Sequence, residues 1–145
     1  MPGVIVVEMV YLREAAHAEA QCHRWIESQK HGRDLGDDAV SDWYERYWSL
    51  FCRLKCLEHL EGTRYWPDFA EKDFGLIRQL FEKEDLLLEL ILDRAYCGKE
   101  NWNIIWWAGE WGLPINRVID ILEALHLNRA QLDPGPPRFA KKFPL

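Results

Sequence analysis

The chain has 145 residues, a formal net charge of −6 at pH 7 and 48% hydrophobic residues. This composition excludes a disordered chain and is typical of one globular domain. The acidic balance argues against a broad nucleic-acid-binding surface and against attraction to anionic lipid, because like charges repel.

The periodicity of apolar residues predicts a helical hairpin over residues 8–61 at the start of an all-α domain. Its first helix covers 8–31 and its second about 39–61, with Gly32 and Gly62 as stop signals. In the first helix, the stripe expected to face the core consists of Tyr11, Ala15, Ala18, Cys22, Trp25 and Gln29.

An irregular, aromatic-rich connection over 62–73 follows the hairpin, and we predict a third helical region over about 74–97. Two shorter helices, roughly 100–111 and 114–126, complete a compact multi-helix domain. Pro114 fits the first turn of the last helix, where its missing N–H has no intrahelical partner to lose.

The two ends of the chain carry different signals. The single domain is expected to span residues 1–128, and 129–145 predict an extended tail because they are rich in Pro and locally basic. The opening residues lack a basic start and a long apolar run, and no apolar stretch approaches the ~20 residues of a membrane span. We therefore expect a cytoplasmic protein without membrane insertion, whose four cysteines stay reduced.

Residues 104–123 fit the spacing of a helix-turn-helix unit, with a small residue, a turn glycine and an aliphatic residue at its structural positions. Here these positions are occupied by Ala108, Gly112 and Val118. The pattern predicts a three-helix packing unit over 84–126 in which Trp107 and Trp111 point inward.

A DNA-binding helix-turn-helix protein would present basic and amide side chains at the start of its second helix, which here is the helix predicted over 114–126. Asn116 and Arg117 lie there, but Asp120 and Glu123 follow, and the whole chain is acidic. Nucleic acid is therefore a disfavoured partner, and a DNA-binding regulator is the third of our hypotheses.

Two Glu-x-x-His pairs, Glu14 with His17 and Glu123 with His126, match the helical pair from which di-iron sites of ferritin-like bundles are built. Residues three apart on a helix point to one side and could bind one ion. Chance also produces such pairs in a Glu-rich chain, and their order along the helices differs from that of ferritin-like proteins.

Cys52, Cys56 and His59 share one helical face, and thiolate with imidazole suits zinc. Cys22 or His23 could complete that set. No Cys-x-x-Cys knuckle is present, and the alternative is that both cysteines are small core residues. A metal-binding protein or enzyme, with zinc or iron, is our second hypothesis.

The segment His23–Trp43 contains a His-basic-Trp start, Ser28, and the run Gly32-Arg33-Asp34-x-Gly36. It resembles the C-terminal segment of a family of uncharacterised bacterial proteins with a lipopolysaccharide-kinase-like body. The kinase-like body has no counterpart in this chain, so the resemblance implies a helix–turn–helix packing unit and no activity.

Arg33 and Asp34 lie at a tight turn flanked by glycines, which predicts a structural joint between the first two helices. Asp34 is expected to accept backbone N–H groups of the second helix, which Asp37 or Asp38 would also cap. Arg33 would tie the end of the first helix to the second. The negative charges of Asp34, Asp37 and Asp38 disfavour an anion site at this turn.

The tryptophans at 102 and 106 are four residues apart and therefore share one face of their helix. Tryptophan is enriched at interface hot spots. Our first hypothesis is a helical interaction or regulatory module without catalysis or cofactor. It would bind a protein partner or self-associate through an aromatic face of Trp102, Trp106, Phe139 and Phe143.

Overall fold

A computed structural model describes residues 9–81 and 85–134. Within these ranges the chain is all-α, with six α-helices and no strand, as the sequence predicts. The helices are α1 (Leu12–His31), α2 (Asp37–Glu61), α3 (Leu76–Leu80), α4 (Leu86–Tyr96), α5 (Asn101–Glu110) and α6 (Ile115–Leu125). The predicted partner-binding residues Phe139 and Phe143 lie outside the described residues.

The hairpin of α1 and α2 forms as predicted, but the predicted core-facing stripe of α1 is wrong. The buried residues are Leu12, Ala16 and Ala20, whereas Tyr11 is 48% and Trp25 66% exposed. Small side chains allow α1 to lie against α2, and large rings would hold the two helices apart. Most of the predicted stripe therefore faces away from the core.

The single helical region predicted over 74–97 is divided into separate elements. A 3-10 helix (Glu71–Asp73) precedes α3, and α3 ends at Phe81, whose backbone is extended. Asp85 then starts α4, because its carboxylate accepts a hydrogen bond from the Leu88 backbone N–H. Such an N-cap stabilises a helix start by ~1 kcal/mol, so a new helix begins here.

The predicted three-helix unit is confirmed, since α4, α5 and α6 each contact the other two. Ala108 and Val118 are fully buried within it. Gly112 has a φ of +68°, and no atom lies within 4 Å of a Cβ built there. Glycine is therefore needed here for the positive φ of the turn. It is not needed to make room for a neighbouring element. Trp107 is half-buried, but Trp111 is 71% exposed, so its predicted inward orientation is wrong.

The packed structure continues past the predicted domain end at residue 128. A second 3-10 helix (Leu127–Ala130) packs on α2, with both of its end residues buried. The indole N–H of Trp48 then donates to the Leu132 carbonyl at 2.8 Å. Arg129 forms an ion pair with Asp73 at 2.7 Å. These contacts fix the chain that follows α6 against the middle of the molecule.

The irregular connection between α2 and the first 3-10 helix packs down into the core, with Trp66 fully buried and Phe69 6% exposed. Its backbone is held by the imidazole of His59, itself fully buried. None of the helices within the described ranges has the length and apolar character that crossing a bilayer would require.

Candidate interaction surface

The predicted zinc set of Cys52, Cys56 and His59 belongs to the core, where all three side chains are fully buried. The Trp66 backbone N–H donates to His59 Nδ1 at 3.0 Å, and His59 Nε2 donates to the Ala70 carbonyl at 2.9 Å. Both ring nitrogens are therefore occupied. Burial raises the pKa of both thiols to about 12, so they stay protonated near pH 7. Zinc would need thiolates and a free imidazole nitrogen, and this arrangement instead fits the alternative in which both cysteines are small core residues.

The predicted di-iron residues are also not assembled. Glu14 and Glu123 are exposed on α1 and α6. His126 is the C-cap of α6, with a φ of 44°, and so lies outside the helix on which the prediction placed it. Across residues 9–81 and 85–134, no three His, Cys, Asp or Glu side chains are grouped to hold a metal ion.

The outer face of α6 lacks the chemistry of a DNA-reading helix. Arg117 is the only basic residue of α6, and it forms an ion pair with Asp85 at 2.5 Å. Asn116 is exposed beside it, and Asp120 and Glu123 are exposed further along. A helix in the major groove needs free basic or amide groups near its start, and this face is mainly acidic.

The turn between α1 and α2 is organised by Asp34. Its carboxylate receives two hydrogen bonds from the Arg24 guanidinium, at 2.7 and 3.0 Å, and one from the Gly36 backbone N–H at 2.9 Å. The bonds from Arg24, and then that from Gly36, hold the pKa of Asp34 well below its usual range. Ser28 Oγ accepts a hydrogen bond from the Leu35 N–H at 3.0 Å. The turn is thus a structural joint.

The residues that were expected to complete this joint act differently. Arg24, and not Arg33, connects α1 to the turn. Arg33 is exposed and lines a shallow depression together with Trp25. Gly36 is the N-cap residue of α2 and has no side chain to cap the helix, while Asp37 and Asp38, which were expected to cap it, are the first two residues of the helix itself. Sequence reasoning found the correct aspartate but not its partner, which lies two helical turns away.

Two tryptophans one helical turn apart on α5 have highly exposed side chains. Trp102 is 68% and Trp106 69% exposed, and we call this pair the α5 aromatic face. Trp111, which sequence reasoning placed in the core, adds a further exposed ring at the C-cap of α5. The tryptophans that serve the core are, in contrast, at most 8% exposed: Trp43, Trp48 and Trp66.

Acidic groups accompany the α5 aromatic face. Glu100 is the N-cap residue of α5, and the Trp106 indole N–H donates to Glu110 at 3.0 Å. No Lys, Arg or His occurs in α5. This surface is therefore apolar and negatively charged.

A cleft of about 870 Å³ opens beside Trp102, and we call it the Trp102 cleft. Its walls are α2, the turn before α5, and the chain that follows α6. The polar and aromatic side chains that line it include Arg46, Arg53, Asn101, Trp102, Asn128 and Gln131. No pattern in the sequence could have found this cleft, because its walls come from three distant segments.

Comparison with known proteins adds no relative to these observations. No protein-family model, no curated protein and no solved structure matches the chain. Function is therefore inferred from the exposed tryptophans, their charged surroundings and the cleft beside them.

Proposed function

We propose that this domain is a non-catalytic interaction module that binds a protein partner through the α5 aromatic face. The observation that carries the proposal is the exposure of Trp102 and Trp106, 68% and 69%. Large contiguous apolar patches are uncommon on monomers and mark interaction surfaces. Tryptophan in such a patch contributes more binding energy than most residue types.

The fold does not need these two rings for its own packing. The opposite side of α5 already contributes Ile104 and Ala108 to the core, and both are fully buried. Trp107 also packs against that core, and the Arg94 guanidinium lies 4.4 Å from its ring centroid. The outer rings are thus available to a partner.

The charge of the surface indicates what kind of partner fits. Glu110 borders the aromatic face beside Trp106, and α5 contains no Lys, Arg or His to offset it, whereas Glu100 at the other end interacts with Arg53 of the Trp102 cleft. A partner with an apolar strip bordered by Lys or Arg would pair with the Glu110 carboxylate. Its cations could also lie over the tryptophan faces. We therefore assign the surface to an external partner that is apolar and basic.

The proposal is tested with two synthetic amphipathic helical peptides of equal length, one built from Leu and Lys and the other from Leu and Glu. The Leu/Lys peptide should bind at least about tenfold more tightly, which corresponds to ~1.4 kcal/mol. The double substitution Trp102→Ala with Trp106→Ala should reduce its affinity at least about tenfold. Calorimetry measures the affinity, and tryptophan fluorescence reports burial of the rings.

Trp25 provides the matched control, since it is 66% exposed but lies on α1. Trp25→Ala should leave the affinity for the Leu/Lys peptide unchanged. Equal binding of the two peptides, or equal losses in the Trp25 and α5 variants, would contradict the proposal. Sedimentation that reveals self-association through Trp102 and Trp106 would overturn the assignment to an external partner.

A further inference from the structure

The Trp102 cleft and the α5 aromatic face form one continuous surface, because Trp102 belongs to both. The α2 wall of the cleft is a stripe of residues spaced three and four apart, which places them along one side of the helix. These residues are Arg46, Ser49, Leu50 and Arg53. A partner that covers Trp102 and Trp106 would therefore reach this cleft at the same time.

Two side chains of the cleft contain buried polar atoms without a hydrogen-bond partner. One is a donor, Arg53 Nε, and the other is an acceptor, Asn101 Oδ1. The Arg53 guanidinium is anchored elsewhere, since its Nη2 donates to the Lys99 carbonyl at 2.5 Å. Buried polar atoms in native proteins nearly always have partners. A ligand in the cleft that both accepts and donates would satisfy this donor and this acceptor.

We infer that the Trp102 cleft binds the main chain of a peptide segment from the partner, an inference that rests on the proposed function. A peptide group carries one C=O acceptor and one N–H donor. They are complementary to the unpartnered donor Arg53 Nε and acceptor Asn101 Oδ1, and both side chains line the cleft. Trp102 covers the side chain next to that peptide group.

The charges of the cleft favour a neutral group over an ion. Arg46 and Arg53 are balanced by Glu100 and Asp133 among the lining residues. Arg46 is also paired with Asp42 at 2.8 Å. A free anion or cation would gain little net attraction here, whereas a neutral peptide group uses the donors and acceptors alike. The cleft volume of about 870 Å³ has room for a short peptide segment.

The probe is N-acetyl-L-phenylalanine N-methylamide, compared with its analogue methylated at both amide nitrogens. The analogue keeps both carbonyls but has no N–H donor. In proton–nitrogen NMR spectra, the first compound should shift the Arg53 Nε–H and Trp102 indole signals saturably. The analogue should bind about tenfold more weakly, since it leaves Asn101 Oδ1 without a donor.

Asn101→Leu separates binding from structure, because it removes the unpartnered acceptor at nearly constant volume. The variant should unfold at the same or a higher Tm and bind the probe about tenfold more weakly. Asn116→Leu is the matched control, since Asn116 is exposed on α6 outside the cleft, and it should leave probe binding unchanged. A lower Tm for Asn101→Leu with unchanged probe affinity would show that Asn101 has only a structural role and overturn the inference.

Trp106→Ala distinguishes failure of the inference from failure of the proposed function, because Trp106 does not line the cleft. If this variant loses the Leu/Lys peptide while the probe leaves Arg53 unshifted in the parent protein, the cleft inference fails and the proposed function stands. If the probe shifts Arg53 while Trp106→Ala retains the Leu/Lys peptide, the α5 aromatic face is overturned and the cleft site stands.

Discussion

The irregular connection after α2 and the regular helix α5 are both rich in aromatic residues, yet they use them in opposite ways. In the connection, Trp66 is fully buried and Phe69 is 6% exposed. In α5, Trp102 and Trp106 are 68% and 69% exposed. Regular secondary structure therefore does not indicate which aromatic side chains belong to the core, and each must be placed by its neighbours.

The neighbours of the connection explain its burial. His59 of α2 accepts the Trp66 N–H and donates to the Ala70 carbonyl, so the backbone of the connection has partners inside the core. The rings of Tyr65 and Phe74 lie 5.0 and 5.4 Å from the His59 ring. α5 satisfies its own backbone as a helix and needs to bury only one side.

The largest effect that would test this comparison is expected from Trp66→Ala. Removing a fully buried indole should destabilise the domain by ~3–5 kcal/mol, because burial is lost and a cavity remains. Denaturant unfolding measures the change. Trp66→Phe, which keeps most of the apolar volume, should cost clearly less. A cost below about 1 kcal/mol for Trp66→Ala would mean that the connection is not part of the core.

His59→Phe is the second test, since it keeps an aromatic ring but removes both nitrogens. The Trp66 N–H and the Ala70 carbonyl would lose their partners, and each unsatisfied buried group costs ~1–3 kcal/mol. We expect a total loss of about 2–6 kcal/mol in unfolding free energy. His31→Phe is the control because His31 is exposed, and it should change stability by less than ~0.5 kcal/mol. Equal effects of the two substitutions would contradict the role assigned to His59.

Ala108→Leu tests the inner side of α5. Ala108 is fully buried, so a larger side chain should overpack the three-helix unit and cost ~1–3 kcal/mol. Thermal unfolding shows this as a lower Tm. Ala18→Leu on the exposed side of α1 makes the same chemical change and should leave the Tm nearly constant. An unchanged Tm for Ala108→Leu would be incompatible with the packing of α4, α5 and α6.

The smallest expected effect is that of Trp106→Ala on the outer side of α5. Although the substitution removes a whole indole, the ring is 69% exposed and its hydrogen bond to Glu110 lies at the surface. The unfolding free energy should change by less than ~0.5 kcal/mol. Chemical denaturation of this variant and of Trp66→Ala should therefore give clearly different midpoints. Similar midpoints would remove the contrast between the two regions.

Local signals predicted much of the fold because they act over a few residues. Gly32 and Gly62 end α1 and α2 with φ angles of 68° and 79°, a conformation that glycine adopts readily. The boundaries predicted for α2, α5 and α6 lie within two residues of those observed. The helix-turn-helix pattern likewise identified Gly112 as the turn glycine and Ala108 as the small buried residue.

Features that depend on distant residues could not be predicted in this way. The spacing of Trp102 and Trp106 predicts that they share a face, but their exposure follows from how α5 packs on α4 and α6. The core-facing side of α1 was misassigned because both sides of that helix contain apolar residues, and only contact with α2 decides between them. His59 matched a zinc ligand by spacing, while its real partners belong to the connection.

The hydrogen bond from the Trp48 indole to the Leu132 carbonyl joins residues that are 84 positions apart. Contacts of such long range form late in folding, after local helices are in place. Local unfolding starts where few buried apolar contacts hold the chain. Since Gln131, Leu132 and Asp133 form one wall of the Trp102 cleft, release of this bond would loosen that wall, while the Arg129 ion pair and the buried Leu127 and Ala130 still hold the 3-10 helix before it. The shape of the cleft would then change while the helices stay in place.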